Sequence, residues 1–385
     1  MPVEAVATPA GTTTMEITVS KFELLRELTA TQGVVERKTT IPILSNYLFE
    51  AAGDKLSLTA TDLDLSLRTA CSAKVKKEGS CTIPARKLHD YVKLLPDADI
   101  TIKLLENHWV SIRCGRSNTK MVGMARSNFP SLPQFPTAGV VKIPANVLRA
   151  MIAKTTFAIA NEESRYTLNG ALMVLKPESI TLVATDGHRL AHIERTGEKF
   201  DGVSGEMKTL IPKKAMDEIK TLLDSTDVET IEFAKDESTL FFRIGPRLLT
   251  SRQLTGQFPN YEAVLPKDNN KSVTVNCEDL TGAIQRVAQF ADERSRAVRM
   301  RVDKGELKLS ASSTETGESE DSIEINYNGD SVTIGFNAQY LLDFLKATGS
   351  GEVRLEFKDA QSAGQLRPGE GDEYKYRYIV MPMRI

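Results

Sequence analysis

Ile211-Pro212-Lys213-Lys214-Ala215-Met216-Asp217-Glu218-Ile219-Lys220-Thr221-Leu222-Leu223 is the stretch that decides the fold, because the chain repeats it. A copy lies 128 residues earlier, in Ile83-Pro84-Ala85-Arg86-Lys87-Leu88-His89-Asp90-Tyr91-Val92-Lys93-Leu94-Leu95. A looser copy lies 124 residues later, in Gly335-Phe336-Asn337-Ala338-Gln339-Tyr340-Leu341-Leu342-Asp343-Phe344-Leu345-Lys346. Each follows a short β-like run and carries an apolar stripe at helical spacing. Pro84 and Pro212 stand at helix entry, where a missing N–H costs little. Self-similarity at a fixed period marks a repeat architecture.

Other marks recur in step. Ala60-Thr61-Asp62 matches Ala184-Thr185-Asp186, with Ala311-Ser312-Ser313 as a weaker third copy. Phe129-Pro130 and Phe258-Pro259 close the first two units. Each unit also opens on a predicted helix. In the first, Ser20 and Glu23 have capping-box spacing ahead of Leu24, Leu25 and Leu28. The second helix is expected over 145–160 and the third over 277–291. Alternating segments punctuated by Asp-Gly and Asn-Gly turns read as strands between them. The fold class is therefore α+β, in three repeated units over 15–139, 140–268 and 269–385. Residues 1–14 read as a disordered N-terminal extension, small and polar, without the basic and apolar regions of a secretory signal.

Composition sets the outer limits. A chain of 385 residues exceeds one ordinary core. Its formal charge of −2 argues against a protein coated in positive charge, though not against a local basic strip. No apolar run has the length of a membrane span. The four cysteines form no C-x-x-C pair, which fits reduced thiols in the cytoplasm.

The stretch with the densest chemistry is Ala184-Thr185-Asp186-Gly187-His188-Arg189-Leu190. Read as an enzyme site, Asp186 would orient His188 as a base and Arg189 would bind an anion. No nucleophile elbow, phosphate loop or dinucleotide fingerprint accompanies them. His188 and His192 lack the carboxylate or thiol cluster that would complete a metal site, so neither metal nor cofactor is called for. The bland reading is a turn made by Asp186-Gly187. A third reading is a wall of a peptide-docking pocket, with Met381 and Met383 as an adaptable floor. The terminal Met-Pro-Met reads equally well as a buried edge strand.

Basic residues stud the helical segments of all three units: Lys21, Arg26, Lys87, Lys93, Arg149 and Lys154, then Lys213, Lys214, Lys220, Arg286 and Lys346. On a shared side they would hold a phosphate backbone without reading bases. Zinc-finger and RNA-binding signatures are missing from the sequence, so sequence-specific readout is not expected.

Five stretches together resemble the bacterial sliding clamp family, the β subunits of DNA polymerase III. They are Thr40-Ile41-Pro42-Ile43-Leu44-Ser45-Asn46, Arg165-Tyr166-Thr167-Leu168-Asn169-Gly170, Ala184–Leu190, Phe258-Pro259-Asn260-Tyr261 and Met381-Pro382-Met383-Arg384-Ile385. The resemblance runs from Met15 to Ile385. It implies a non-catalytic processivity factor that closes into a ring as a head-to-tail homodimer around duplex DNA. Lys21, Arg26, Lys87, Arg149, Lys154, Lys213, Lys214 and Arg286 would then face DNA, with Arg37 and Lys38 on a basic loop. It also implies a peptide pocket for the polymerase α subunit, the clamp loader and repair polymerases. Its walls would be Arg165, Leu168, Thr185, Gly187, His188, Arg189, Leu190, Pro259 and Val264, then Asn337, Tyr340, Ile379, Met381, Pro382, Met383 and Arg384. The dimer contact it implies sets Thr119 and Met121 against Phe290. An enzyme using Asp186, His188 and Arg189, and a peptide-binding scaffold without DNA, stand as alternatives.

Overall fold

A computed structural model describes residues 14–36, 39–161, 166–369 and 373–384 of the chain. Arg37, Lys38, Arg165 and residues 1–13 of the expected N-terminal extension lie outside the described residues.

The first repeat runs β1 (Glu16–Ser20), α1 (Lys21–Ala30), β2 (Asn46–Ala52), β3 (Lys55–Thr61), β4 (Leu65–Ser72), β5 (Lys74–Lys77), β6 (Gly79–Pro84), α2 (Ala85–Leu94), β7 (Asp99–Leu104), β8 (Trp109–Cys114) and β9 (Ser117–Val122). The second runs β10 (Val141–Pro144), α3 (Ala145–Ala153), β11 (Gly170–Lys176), β12 (Ser179–Thr185), β13 (Arg189–Thr196), β14 (Met207–Pro212), α4 (Lys213–Ser225), β15 (Thr230–Lys235), β16 (Thr239–Ile244) and β17 (Arg247–Arg252). The third runs β18 (Lys271–Asn276), α5 (Cys277–Ala288), β19 (Ala297–Asp303), β20 (Glu306–Ser313), β21 (Gly317–Glu324), β22 (Val332–Asn337), α6 (Ala338–Thr348), β23 (Glu352–Phe357), β24 (Gly364–Pro368) and β25 (Lys375–Val380). Apart from the extra β5, every repeat is the same sentence said twice: strand, helix, three-strand meander.

The helices begin where the sequence signals put them. Ser20 caps α1 by accepting from the Glu23 N–H at 3.2 Å. Asn276 and Asn337 cap α5 and α6 in the same way. Two helices are shorter than expected. α3 ends at Ala153, because the Thr155 and Thr156 hydroxyls bond back to the carbonyls of Met151 and Ile152 and a 3-10 turn follows. α5 ends at Ala288, and Gln289, Phe290 and Ala291 donate instead to carbonyls three residues back. α6 begins 125 residues after α4, one more than the sequence comparison suggested. That shift places Asp90, Glu218 and Asp343 at the same position in α2, α4 and α6.

The chain forms two compact units: Met1–Asn146 with Asp217–Gln253, and Val147–Met216 with Leu254–Ile385. They do not coincide with the repeats, because sheets run through the repeat boundaries. The first unit holds a five-stranded sheet, β5-β1-β7-β8-β9, and an eight-stranded one, β10-β15-β16-β17-β4-β3-β2-β6. The second holds β14-β11-β12-β13-β25-β24-β23-β18 and the four-stranded β21-β20-β19-β22. Both joins follow one rule. The last strand of a repeat pairs antiparallel with the last strand of the first meander in the preceding repeat, as β17 with β4 and β25 with β13. The two strands left over by this rule, β9 and β21, each have one sheet neighbour among the described residues.

A buried ion pair locks the first join. Glu27 of α1 accepts from Arg247 Nε at 3.0 Å and Nη2 at 3.3 Å, and from Thr69 Oγ1 at 2.5 Å. Their side chains are 0% and 4% exposed. Burial raises the Glu27 pKa, yet the bonds from Arg247, Thr69 and Arg26 outweigh it and hold the carboxyl below its ordinary value.

Candidate functional site

At the second join, Ala184–Leu190 makes the turn that the bland reading expected. Asp186 Oδ1 accepts from the N–H groups of His188 (2.9 Å) and Arg189 (3.0 Å), and Gly187 takes φ 89°. The first repeat builds the same turn. Asp62 Oδ1 accepts from Asp64 and Leu65 N–H, and Leu63 takes φ 83°. A leucine can hold that left-handed position, but at a strain that glycine avoids.

This geometry removes the base–orienter arrangement. The Asp186 carboxylate is spent on the turn and on Arg189 Nε at 3.0 Å. His188 is exposed. Arg189 is spent as well. Its guanidinium reaches Asp343 Oδ2 at 2.5 Å and the Phe157 carbonyl at 2.7 Å, and lies 4.3 Å from the Tyr340 ring centre. Burial works against its charge, but Tyr378, Asp343 and Asp186 more than compensate and raise its pKa. Arg189 therefore fastens repeat two to repeat three, with Nε, Nη1 and Nη2 each already donating within the protein.

Beside this turn lies an open cleft of about 120 Å³. It is lined by Leu168, Thr185, Gly187, His188, Arg189, Leu190, Pro259, Tyr261, Val264, Ile379 and Met381. Its floor is an apolar cluster in which Leu190 and Ile379, register partners across the β13–β25 join, pack with Leu172, Val183 and Phe258. The ladder continues past β25, since Met381 N–H donates to the His188 carbonyl at 2.9 Å. Met381 and Val264 remain 44% and 43% exposed at the rim. The volume is well below the ~300–1,000 Å³ of small-molecule sites. A cleft of this size has room for one or two aliphatic side chains.

Ten of the expected pocket residues line this cleft. It does not reach five others. Asn337 caps α6, the Tyr340 carbonyl accepts from Tyr378, and Met383 N–H bridges to the Gly335 carbonyl. Pro382 lies between Met381 and that bridge, and Arg384 borders a separate polar hollow with Ser295, Arg299 and Glu318. The terminal tail thus divides: Met381 enters the cleft and Met383 extends a sheet edge. Tyr261 lines the cleft as well, outside the expected walls. Its signal was its place in Phe258-Pro259-Asn260-Tyr261.

The basic residues fall on helices, but several are engaged. Arg26 pairs with Glu23 and Glu27, Arg286 with Asp321, and Lys220 with Asp224. Lys21 donates to the Leu95 carbonyl and Lys213 to Asn161. Lys154, just beyond α3, sits over the rings of Tyr374 and Tyr376. Lys87, Lys93 and Lys346 are exposed, as is Lys214, while Arg149 is half-buried. Of the expected dimer residues, Thr119 and Met121 lie on the edge strand β9, and Phe290 follows α5. Among the described residues no cluster of His, Cys, Asp or Glu could hold a metal, and no helix is long and apolar enough to cross a membrane.

The comparisons with known proteins agree over residues 15–384, nearly the whole chain. The N-terminal, central and C-terminal domain descriptions of the DNA polymerase III beta subunit match residues 15–133, 142–260 and 262–384. A beta sliding clamp of Caulobacter vibrioides is 34% identical over 381 residues, covering 96% of this chain and 100% of the relative. One from Pseudomonas putida is 36% identical over 376 residues with the same coverage. A crystal structure of the Pseudomonas aeruginosa sliding clamp bound to griselimycin superposes with a TM-score of 0.90 at 34% identity, over 96% of this chain and 100% of that one. The Bartonella birtlesii clamp bound to griselimycin gives 0.91 at 33%, over 97% and 100%. On these matches, the chain belongs to the DNA polymerase III beta subunit family, the beta sliding clamps.

Proposed function

We propose that two copies of this chain close head to tail into a ring that encircles duplex DNA in the cytoplasm. Family membership makes the function that of a DNA sliding clamp, a non-catalytic processivity factor. The observation that carries the ring is the pair of leftover strands. Within the chain, last strands of meanders join in one set way, and β9 and β21 are the two that lack such a neighbour among the described residues. Joined between copies by the same rule, they give a heterologous contact that repeats until it closes.

The register follows from the joins already made. Thr250 stands opposite Ser66 in the first and Ile379 opposite Leu190 in the second. The equivalent residues of β9 and β21 are Lys120 and Glu318, which puts opposite charges face to face. Thr119 and Met121 flank Lys120, consistent with their expected place at the interface.

Duplex DNA would be held by the Lys and Arg residues of the helices through its phosphates alone. Because Arg26 and Arg286 already carry internal partners, local affinity stays weak, which suits a protein that must slide. The apolar cleft is the docking point for linear peptides of the polymerase and other replication proteins. The test is topological. Loaded on nicked circular DNA the protein is retained, and linearising that DNA releases it. Equal retention on both refutes the ring.

A further inference from the structure

The sheet face that holds the apolar cleft also carries a line of arginines. Tyr376 and Tyr378 of β25 set their rings against Phe344 of α6, with centres 5.3 and 5.2 Å apart. Arg377 and Ile379 alternate with them and so point to the opposite face. On that face Ile379 and its register partner Leu190 form the cleft floor. One step along, Arg377 stands opposite His192. The neighbouring strands continue this row. Gln365 of β24 is the partner of Ile379, so Arg367, two residues on, falls beside Arg377. Arg354 of β23 is in turn the partner of Arg367. Three adjacent strands therefore each place an arginine in one line, and the line ends next to the cleft.

Two of the three are held by one acid. The Glu356 carboxylate accepts from Arg367 Nη2 and Gln365 Nε2, and Arg354 Nε lies 3.2 Å from it. Arg377 is half-buried and makes no hydrogen bond or ion pair among the described residues. The other acids of this surface are Glu194, which faces Lys375 at 3.6 Å, and the exposed Glu262 beside Tyr261. Arg354, Arg367, Arg377 and Lys375 thus outnumber Glu356, Glu194 and Glu262, and the surplus charge is that of Arg377. His192 does not add to it at neutral pH, because burial, with Arg377 assisting, lowers its pKa below 6.5. The His192 ring lies 5.7 Å from that of Tyr261, a wall of the cleft, so the field of Arg377 reaches that wall. The row is turned away from α6, whereas duplex phosphates are proposed to meet the helices. Its ligand is therefore sought in the cleft and not in DNA.

We propose that Arg377 is an acid-recognising subsite of the cleft. It pairs with an aspartate or glutamate of a bound linear peptide, two residues from the aliphatic side chain seated over Leu190 and Ile379. This rests on the reading of the cleft as a peptide-docking point and adds a charge rule to it. Two residues of extended chain span ~6.6–6.8 Å, the same step that separates Ile379 from Arg377 along β25. An extended peptide beside β25 therefore brings a carboxylate to the guanidinium when its aliphatic residue is seated. A lysine at that peptide position is repelled, so the subsite selects among segments that share the same aliphatic anchor.

Fluorescence anisotropy on the full-length chain tests this with an apolar peptide from the polymerase. The peptide is made unsubstituted, and with Glu or Gln two residues before or two residues after its aliphatic anchor. The unsubstituted peptide binds wild type and Arg377→Gln alike. On the wild type, one Glu peptide binds about threefold to fivefold more tightly than its Gln counterpart, the upper range of a solvent-accessible ion pair. Arg377→Gln abolishes that gain, Arg377→Lys keeps part of it, and added salt reduces it. Met381→Asp weakens every peptide, as expected if all occupy the cleft. An unsubstituted peptide that does not bind the wild type, or that ignores Met381→Asp, overturns the docking reading and this subsite with it. Binding through the cleft in which neither Glu peptide gains over Gln, or in which the gain survives Arg377→Gln, overturns the subsite alone. So does an Arg377→Gln variant that loses retention on nicked circular DNA and keeps the peptide preference, since the arginine then serves phosphate.

Discussion

Arg247→Met tests whether the first join depends on its buried ion pair. The substitution removes two of the donors to Glu27, Nε at 3.0 Å and Nη2 at 3.3 Å. It leaves the Thr69 hydroxyl at 2.5 Å and Arg26 Nε at 2.7 Å. The Glu27 side chain is fully buried, so water cannot replace what is lost. Breaking one side of a buried pair costs ~3–5 kcal/mol. With two donors kept, the lower end, about 3 kcal/mol, is expected at pH 7. The sign with pH follows from the depressed Glu27 pKa. A carboxyl held below its ordinary value contributes stability that is full above about 4.5 and is lost as pH falls through the folded value. The gap between wild type and Arg247→Met is therefore widest at neutral pH and narrows in acid, where the buried acid is neutral in both. Adding Glu27→Gln to Arg247→Met recovers about 1 kcal/mol or more, because an amide is cheaper to bury than an unpaired charge. Urea unfolding followed by circular dichroism from pH 8 down to pH 2, well below the ordinary carboxyl value, reads all three effects. A loss below about 1 kcal/mol at pH 7, or one that does not change with pH, refutes the reasoning.

Met381→Asp and Val264→Asp place a charge on the rim of the apolar cleft, at side chains about half exposed, so the fold survives. Each lowers the affinity of a fluorescent apolar peptide from the polymerase at least tenfold, about 1.4 kcal/mol, with the dimer unchanged by native mass. Lys120→Glu sets two acids opposite each other in the proposed β9–β21 join and weakens self-association in low salt, and mixing it with Glu318→Lys restores the complex. His192 is 9% exposed with an unpartnered Nδ1, its ring 5.7 Å from Tyr261. Burial pushes its pKa below the usual 6.5, with Arg377 adding to this and Glu194 and Glu262 opposing it. Its contribution is present above pH 6.5 and is lost as pH falls through the folded value, so His192→Phe flattens the stability profile in that acid window.

The fold was legible because repetition survives in short local signals. Ser20, Pro84 and Pro212 mark helix entries, and Ala60-Thr61-Asp62 and Ala184-Thr185-Asp186 mark the same turn. Helix ends were less legible. Nothing in the apolar stripe from Ala145 onward announces that two threonine hydroxyls will bond back and stop α3 at Ala153. The compact units were not legible at all. Strand pairing between repeats is a long-range event, and Arg247 reaches Glu27 across 220 positions. The same distance hid the role of Arg189. In sequence it neighbours His188 and Asp186 and suggests chemistry. In the fold its partners are Asp343 and Phe157, and it is a fastener.

Two joins within the chain and the proposed third between copies, all built on one rule, allow each to be tuned by a single pair of facing residues. Where Ser66 meets Thr250, both side chains are small, buried and polar, and the sheet runs through without a surface feature. Where Leu190 meets Ile379, the pair is apolar and buried at the base of a cleft walled by Leu168, Pro259 and Val264, the cleft proposed to receive a foreign side chain. Where Lys120 is proposed to meet Glu318, the pair is charged. An apolar pair there would hold equally well in any salt and would leave sticky edges on a lone subunit. An exposed ion pair contributes only ~0.2–1 kcal/mol and is screened by salt, so the edges stay soluble apart and part readily once joined. A ring that must be opened to admit DNA needs its weakest join between copies. Two ion-paired arginines, the buried Arg247 and the largely covered Arg189, secure the two joins within the chain. Their counterparts at the third are Ser117 and the Thr316–Gly317 turn, which have no charge to bury.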